Sequence, residues 1–510
     1  MTTTLFGGGR IHTLAGPADW VLVDAGSITA TGEGSDRPAA DRTVDLAGGA
    51  LVPAFCDGHV HLPATGLYAR GLDFRGEHSA AAILGAFAGR ANDAGLLFGG
   101  NFEDPLDRPL VRTDLDEVVG DQPALLARAD MHSCIVSTAL LDRLSIADLE
   151  GADRDDGGAP TGYLREEAAA EAWRWFEANL PRQQQIDAIR TAVDLAYSKG
   201  VARVHEMFVL EWRSWSSLEL LEEAVAGVLL DVNPYVATTE VARIKEMGLA
   251  RIGGDWFLDG SFGSHTAWMS APYRVAPPTG TPATGIAYRD FDEVVAFFSE
   301  AQAAGLQAGV HAIGDAAIEQ GIAAWEKVAQ DVGVTEVRRL GHRIEHFECA
   351  TDDHIRRAAR LGLRVSIQPA FDRLWGGEGA LYADRLGAER ALGMNRFRSM
   401  MDGGLVLGAG SDSTVTPLDP LLQMASLRDH HVESERMSAA AALRLHTLGS
   451  HALADGEGIR GTIQPGAQAD LALLDRDPLA VSADELVQTE VEATWIRGEQ
   501  AWPPHAASAL

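Results

Sequence analysis

Two histidines one residue apart close the stretch Ala54-Phe55-Cys56-Asp57-Gly58-His59-Val60-His61, directly after the apolar run Gly49-Ala50-Leu51-Val52-Pro53. Such a run predicts a short buried strand. Alternate residues of a strand point the same way, so His59 and His61 can offer imidazole nitrogens to one divalent ion from a single strand end. Two histidines with no metal is the plainer reading of so short a motif, and later parts of the chain decide between the two.

Three further segments have the same form, an apolar strand ending in a residue able to ligate a metal. They are Gln307-Ala308-Gly309-Val310-His311, His342-Arg343-Ile344-Glu345-His346 and Leu405-Val406-Leu407-Gly408-Ala409-Gly410-Ser411-Asp412. As a set, His59, His61, His311, His346 and Asp412 predict a metal centre. A divalent metal lowers the pKa of its water from about 15.7 towards about 7, which supplies hydroxide at neutral pH. Asp412 would orient that water, accept its proton and pass it to a leaving group. The plain alternative for Asp412 is a helix cap ahead of Pro417. His346 is either a ligand of a second metal or a neutral donor that polarises the substrate carbonyl.

Length and composition bound the reading. A chain of 510 residues suggests about three lobes, or a barrel with additions. The net charge of −31 and the lack of a Lys/Arg run argue against nucleic acid as a partner. Cys56, Cys134 and Cys349 are odd in number and far apart, which favours a reducing cytoplasm over a disulfide framework. No signal peptide or membrane span is read at the N-terminus or beyond it.

Residues 1–52 read as short strands broken by turns, and residues 455–510 have the same texture, closing on Glu492-Ala493-Thr494-Trp495-Ile496-Arg497-Gly498. The two ends are expected to form one small composite β-sandwich. Between them, residues 53–454 alternate strand and helix, the pattern of a parallel α/β fold, with helices near 187–199, 291–304 and 352–361. Candidate strands lie near 51–58, 123–129, 201–206, 229–237, 252–259, 306–311, 342–346, 364–369 and 405–411. That is one too many for a TIM-type (β/α)8 barrel. The strand at 123–129 is the separable one, because a normal βα step is far shorter than the stretch holding it. Residues 70–185 are therefore expected to form an insertion after the first barrel strand, a lid over the mouth.

The metal set resembles that of the amidohydrolase superfamily of metal-dependent hydrolases. The resemblance is nearest to the amidohydrolase family 3 branch, which includes N-substituted formamide deformylases. Its further motifs are Pro160-Thr161-Gly162-Tyr163-Leu164-Arg165-Glu166, Leu258-Asp259-Gly260-Ser261-Phe262-Gly263-Ser264-His265-Thr266-Ala267, Val310-His311-Ala312-Ile313-Gly314-Asp315 and Gly410-Ser411-Asp412. The resemblance implies a barrel, a non-peptide C–N bond as target and a homodimer. Two departures stand out. Many relatives place a lysine four residues before the Asp-Gly-Ser element, where it can be carboxylated to bridge two metals; this chain has Asp255 there. Many also carry arginine where this chain has His265, which stands as a candidate substrate contact. Three repairs of the bridge are open: Asp255 ligates, Glu166 swings in from the insertion, or one metal is held by His59, His61, His311 and Asp412. Solvated or capping carboxylates are the plain readings of Asp255 and Glu166.

Zinc is the default ion for a site of histidines and carboxylates, and manganese or iron also fits, with one or two ions per chain. His205 is read as a pocket wall or a partner behind the ligands, and His132 as either facing the pocket or exposed on a loop. Trp212, Trp215, Trp268, Phe371 and Trp375 follow strands, so they would wall the mouth for an apolar or aryl small molecule, or else pack lid and helices. Esterase, lactonase or deaminase chemistry suits the same metal set. A non-catalytic ligand-binding barrel is the alternative outside enzymes.

Overall fold

The fold is described from a computed structural model, which covers residues 3–504 apart from 14, 35, 92–94, 147, 148, 150, 279, 280 and 457. Residues 505–510 of the expected terminal unit, and 92–94, 147, 148 and 150 of the expected insertion, lie outside the described residues.

Eight strands carry the middle of the chain: β1 (Phe55–Val60), β2 (Val201–Val209), β3 (Asp231–Ala237), β4 (Arg251–Ile252), β5 (Gln307–Ala312), β6 (Arg343–His346), β7 (Arg364–Ile367) and β8 (Val406–Ala409). They form two sheets, β3-β2-β1 and β4-β5-β6-β7-β8, in which every pairing is parallel. Backbone hydrogen bonds also join the margins of the two sheets. Gly253 N–H donates to the Val236 carbonyl at 2.8 Å, Asp412 N–H to His59 at 2.8 Å, and His61 N–H to Ser413 at 3.0 Å.

Parallel strands covered on both faces must be apolar throughout, and β2 is buried at all nine positions. The helices that cover them start and stop where the side chains dictate. Phe291–Ala304 begins at Asp290, whose carboxylate accepts from Glu293 N–H, and ends at Gly305 with φ 75°. Asp352–Leu361 begins at Thr351 and ends at Gly362 with φ 69°. Between helices and strands, Trp325 stacks on Phe298 at 4.1 Å and on His342 at 3.7 Å between ring centroids. Burying an aromatic side chain such as the fully covered Phe298 contributes about 1.5–3 kcal/mol.

The strand expected over 252–259 is shorter than the sequence suggests. Gly253 and Gly254 take φ of 83° and 70°, which ends β4 at Ile252. A Cβ on Gly253 would lie 2.1 Å from the Gly309 carbonyl oxygen, so only glycine allows this close approach to β5. The chain then runs on beside β5, where Phe257 and His311 form a parallel bridge. This detour carries Asp255 and Asp259 to the strand ends.

The candidate strand at 123–129 belongs elsewhere. Ala124–Arg128 pairs within a six-stranded sheet built from Leu72–Asp73, Leu97–Phe102, Ala124–Arg128, Ser133–Val136, Ala152–Arg154 and Pro160–Arg165. The chain ends meet in a fourth sheet, of eight strands, in which Leu471–Leu474 pairs antiparallel with Ala50–Pro53. Its strand Thr4–Thr13 changes partner along its length, from Arg42–Asp45 to Ala50 and Leu51, across a register shift between Gly7 and Ile11. Hydrogen bonding therefore gives one continuous sheet here, around an apolar core that includes Phe6, Val21, Leu473 and Trp495. Among the described residues, no helix is long and apolar enough to cross a membrane.

Candidate metal centre

Four histidines converge at the C-terminal ends of β1, β5 and β6, and the acceptor behind each ring decides which nitrogen faces the centre. His59 Nδ1–H donates to Glu345 Oε2 at 3.0 Å, and His61 Nδ1–H donates to the Met207 carbonyl at 2.8 Å. His346 Nδ1–H donates to Gln368 Oε1 at 2.9 Å. These three rings present Nε2. His311 is turned over: its Nε2–H donates to the Gly260 carbonyl at 3.3 Å, leaving Nδ1 inward. An acceptor behind the ring fixes the tautomer and leaves the inner nitrogen a lone pair.

Two carboxylates stand among those nitrogens. Asp255 Oδ2 is 3.2 Å from both His59 Nε2 and His61 Nε2. Its other oxygen, Oδ1, is 3.9 Å from His311 Nδ1 and 3.8 Å from His346 Nε2. One carboxylate thus spans the two pairs of histidines. Asp412 Oδ1 lies 3.4 Å from His59 Nε2 and 3.1 Å from His61 Nε2.

The arrangement fits a divalent cation. His59 Nε2, His311 Nδ1, Asp255 Oδ1 and Asp412 Oδ1 are buried with no hydrogen-bond partner among the described residues. A buried polar atom left without a partner costs about 1–3 kcal/mol, a penalty that coordination removes. Donor atoms of His59, Asp255 and His346, and those of His59, His61 and Asp412, lie within 4.8 Å of one another. Nitrogen and carboxylate donors of this kind suit zinc and related ions.

Charge follows the same logic. Burial opposes a charge on His61, yet Asp255 and Asp412 push its pKa up to about 9, and they raise His59 well above its ordinary value. The two carboxylates draw positive charge into the cluster. Burial and the nearby His346 hold His311 well below the ordinary histidine value, in the neutral form that a ligand needs.

The support behind the ligands is fully buried and ionic. Arg343 grips both oxygens of Glu345, at 2.9 and 2.7 Å, and also donates to the Gly58 carbonyl at 2.8 Å. Its remaining nitrogen donates to His205 Nδ1 at 2.8 Å, and burial with the Arg343 charge keeps His205 neutral as an acceptor. Asp259 accepts backbone N–H groups from Ile313, Gly314 and Trp268 at 3.0, 2.8 and 2.8 Å, while burial pushes its carboxyl up to about 7. His346 and Asp412 take left-handed backbone angles, φ 71° and 51°, at the ends of their strands. A Cβ on Gly410 would lie 2.4 Å from His59 N, so glycine lets β8 close on β1.

A cavity of about 60 Å³ opens beside the cluster, lined in part by His311, His346, Asp412, Glu348, Phe371, Trp375 and Tyr382. The six-stranded sheet and its loops contribute Glu103, Arg128, Asp130 and His132 to the same lining. Of the predicted substrate contacts, His132, Phe371 and Trp375 line this cavity, whereas His265 and Trp268 do not. His265 packs 5.3 Å from the Tyr273 ring, and Trp268 faces a separate hollow with Ser270 and Asp315. Trp212 lies 6.1 Å from the His61 ring, and Trp215 donates to Glu240 at 3.2 Å outside the cavity lining. Glu166 is held by His132 at 3.1 Å and by the Tyr288 hydroxyl. A larger hollow of about 510 Å³ lies against Arg10, His12 and Asp477 and includes none of the clustered residues.

Arg343, Glu345, Asp259 and Glu348 were not singled out from the sequence. Residues two apart on a strand share a face, so Arg343 and Glu345 flanking Ile344 carried a readable signal: a charged pair inside a strand of a parallel sheet, where both faces are covered.

The chain matches the amidohydrolase family over residues 42–501 and belongs to that family. It is 29% identical to the protein YtcJ of Bacillus subtilis (strain 168) over 96% of this chain and 98% of that one. It is 24% identical to N-substituted formamide deformylase of Arthrobacter pascens over 94% of each chain. Among solved structures, a metal-dependent hydrolase of Pyrococcus furiosus superposes with a TM-score of 0.72 at 27% identity, covering 94% of this chain and all of the other. The chain is accordingly a hydrolase of the branch that includes the formamide deformylase.

Proposed function

We propose that this protein is a metal-dependent hydrolase that cleaves a non-peptide, amide-like C–N bond of a small molecule, giving an acid and an amine. The observation that carries the reading is the single carboxylate of Asp255, with one oxygen 3.2 Å from His59 and His61 and the other within 3.9 Å of His311 and His346. On this reading Asp255 stands in for the carboxylated lysine of many relatives, and His59, His61, His311, His346 and Asp412 complete the ligand set. Zinc is the ion this donor set suits best. When bound, such a cation supplies Lewis acidity and lowers the pKa of water.

The chain's own groups do the rest. Asp412, held ionised by its histidine neighbours, accepts the proton of the attacking water and returns it to the leaving nitrogen. We read the two parallel sheets as arcs of one (β/α)8 barrel, because hydrogen bonds join them at both margins. The catalytic groups then sit at the C-terminal ends of the strands, where barrel enzymes carry them. We read the terminal sheet as the composite β-sandwich, and residues 70–185 as a lid; their supply of Arg128, Asp130 and His132 to the cavity supports the latter.

The test is a panel of N-substituted formamides, simple amides and matched esters, with product analysis. Expected is release of amine and acid in equal amounts, abolished by a chelator and restored by Zn²⁺. Turnover of esters alone, or turnover indifferent to chelation, would remove this reading.

A further inference from the structure

The cavity beside the cluster has a wall that the hydrolytic step leaves unused. Glu348 is only 3% exposed and lines that cavity. Its Oε2 accepts from the Tyr382 hydroxyl at 2.6 Å, and among the described residues no other hydrogen bond or ion pair reaches its carboxyl. The nearby cation, Arg128, is already engaged by Asp130 and, at 3.4 Å, by Asp104. The half-buried Glu103, on the same wall, accepts from Trp375 Nε1 at 3.2 Å and likewise forms no ion pair among the described residues. Phe371 and Trp375 line the same cavity and pack with ring centroids 4.9 Å apart.

A buried carboxyl without a counter-charge is costly, and the cost is recovered when a cation arrives. Glu348 belongs to none of the donor groups that could hold an ion, and no Arg, Lys or His side chain pairs with it among the described residues. Aromatic faces beside it add attraction for a positive nitrogen. We propose that the substrate carries a small ammonium group, received by Glu348 against Phe371 and Trp375. This deepens the hydrolase reading and rests on it, since it names the substrate class of the same site. The cavity sets the size: at about 60 Å³, where one water takes roughly 10–15 Å³, it admits a group of only about five heavy atoms.

Binding tests this without turnover. The metal-loaded protein is titrated calorimetrically with n-butylammonium and with butan-1-ol, a neutral ligand of the same size. The ammonium is expected to bind at least tenfold more tightly. In Glu348→Gln that ratio is expected to fall to about one, while Glu348→Asp, checked for equal metal content and circular dichroism, retains a preference for the cation. Equal binding of the two ligands by the wild type, no measurable binding of butylammonium, or a preference that survives in Glu348→Gln would overturn the proposal. Failure of the hydrolase reading shows separately, as an amide panel without turnover.

Discussion

Asp412→Asn is expected to lower kcat by about 10²–10⁴-fold, the range for losing a positioned proton-transfer group. The side chain is 5% exposed, and asparagine nearly reproduces its shape, so the packing around β8 stays as it is. What disappears is charge and basicity at one atom. Oδ1 stands 3.1 and 3.4 Å from the inward nitrogens of His61 and His59 and has no hydrogen-bond partner among the described residues. The carboxylate as a whole is placed to take a proton from water beside the histidines, which an amide cannot do at neutral pH. Single-turnover rates on an amide from the panel, with circular dichroism and metal content as controls, measure the effect. A kcat within threefold of wild type would move proton transfer to another group.

The second large effect is on the scaffold beneath the ligands. Glu345 is fully buried, holds the Arg343 guanidinium through both oxygens and accepts His59 Nδ1–H at 3.0 Å. Glu345→Ala leaves that guanidinium buried without its carboxylate. Breaking a buried pair from one side costs about 3–5 kcal/mol, which urea denaturation reads as a lower midpoint. It also frees the His59 ring to turn, and losing such a partner behind a ligand weakens metal affinity by about 10–100-fold. Both losses are expected together. A stability change below about 1 kcal/mol would mean that Gly58 and His205 suffice to hold Arg343.

Much of this architecture was legible because it rests on local rules. The runs ending in His311, His346 and Asp412 do form strands or continue directly from them, and the helices expected near 291–304 and 352–361 form at Phe291–Ala304 and Asp352–Leu361; the strand expected over 51–58 is instead two, Ala50–Pro53 in the terminal sheet and Phe55–Val60 in the parallel one. Where long-range contact decides, the sequence was silent. The segment 252–259 alternates no differently from a strand, but the two glycines at 253 and 254 meet the backbone of β5 and turn the chain out of the sheet. That turn is what brings Asp255 among the histidines. The resemblance left three repairs open, Asp255, Glu166 or a one-metal site; the folded chain shows Glu166 engaged by His132 and Tyr288. Arg343 and Glu345 share a strand face by alternation, yet their partners His205 and His59 come from β2 and β1, far away in sequence.

Elemental analysis of protein purified without chelator tests the central claim most directly, with wild type, Asp255→Ala and Glu166→Ala measured side by side. The account predicts bound divalent metal in the wild type, unchanged content in Glu166→Ala, and loss of at least one ion per chain in Asp255→Ala. Metal retained in full by Asp255→Ala, or no metal in the wild type, would contradict it.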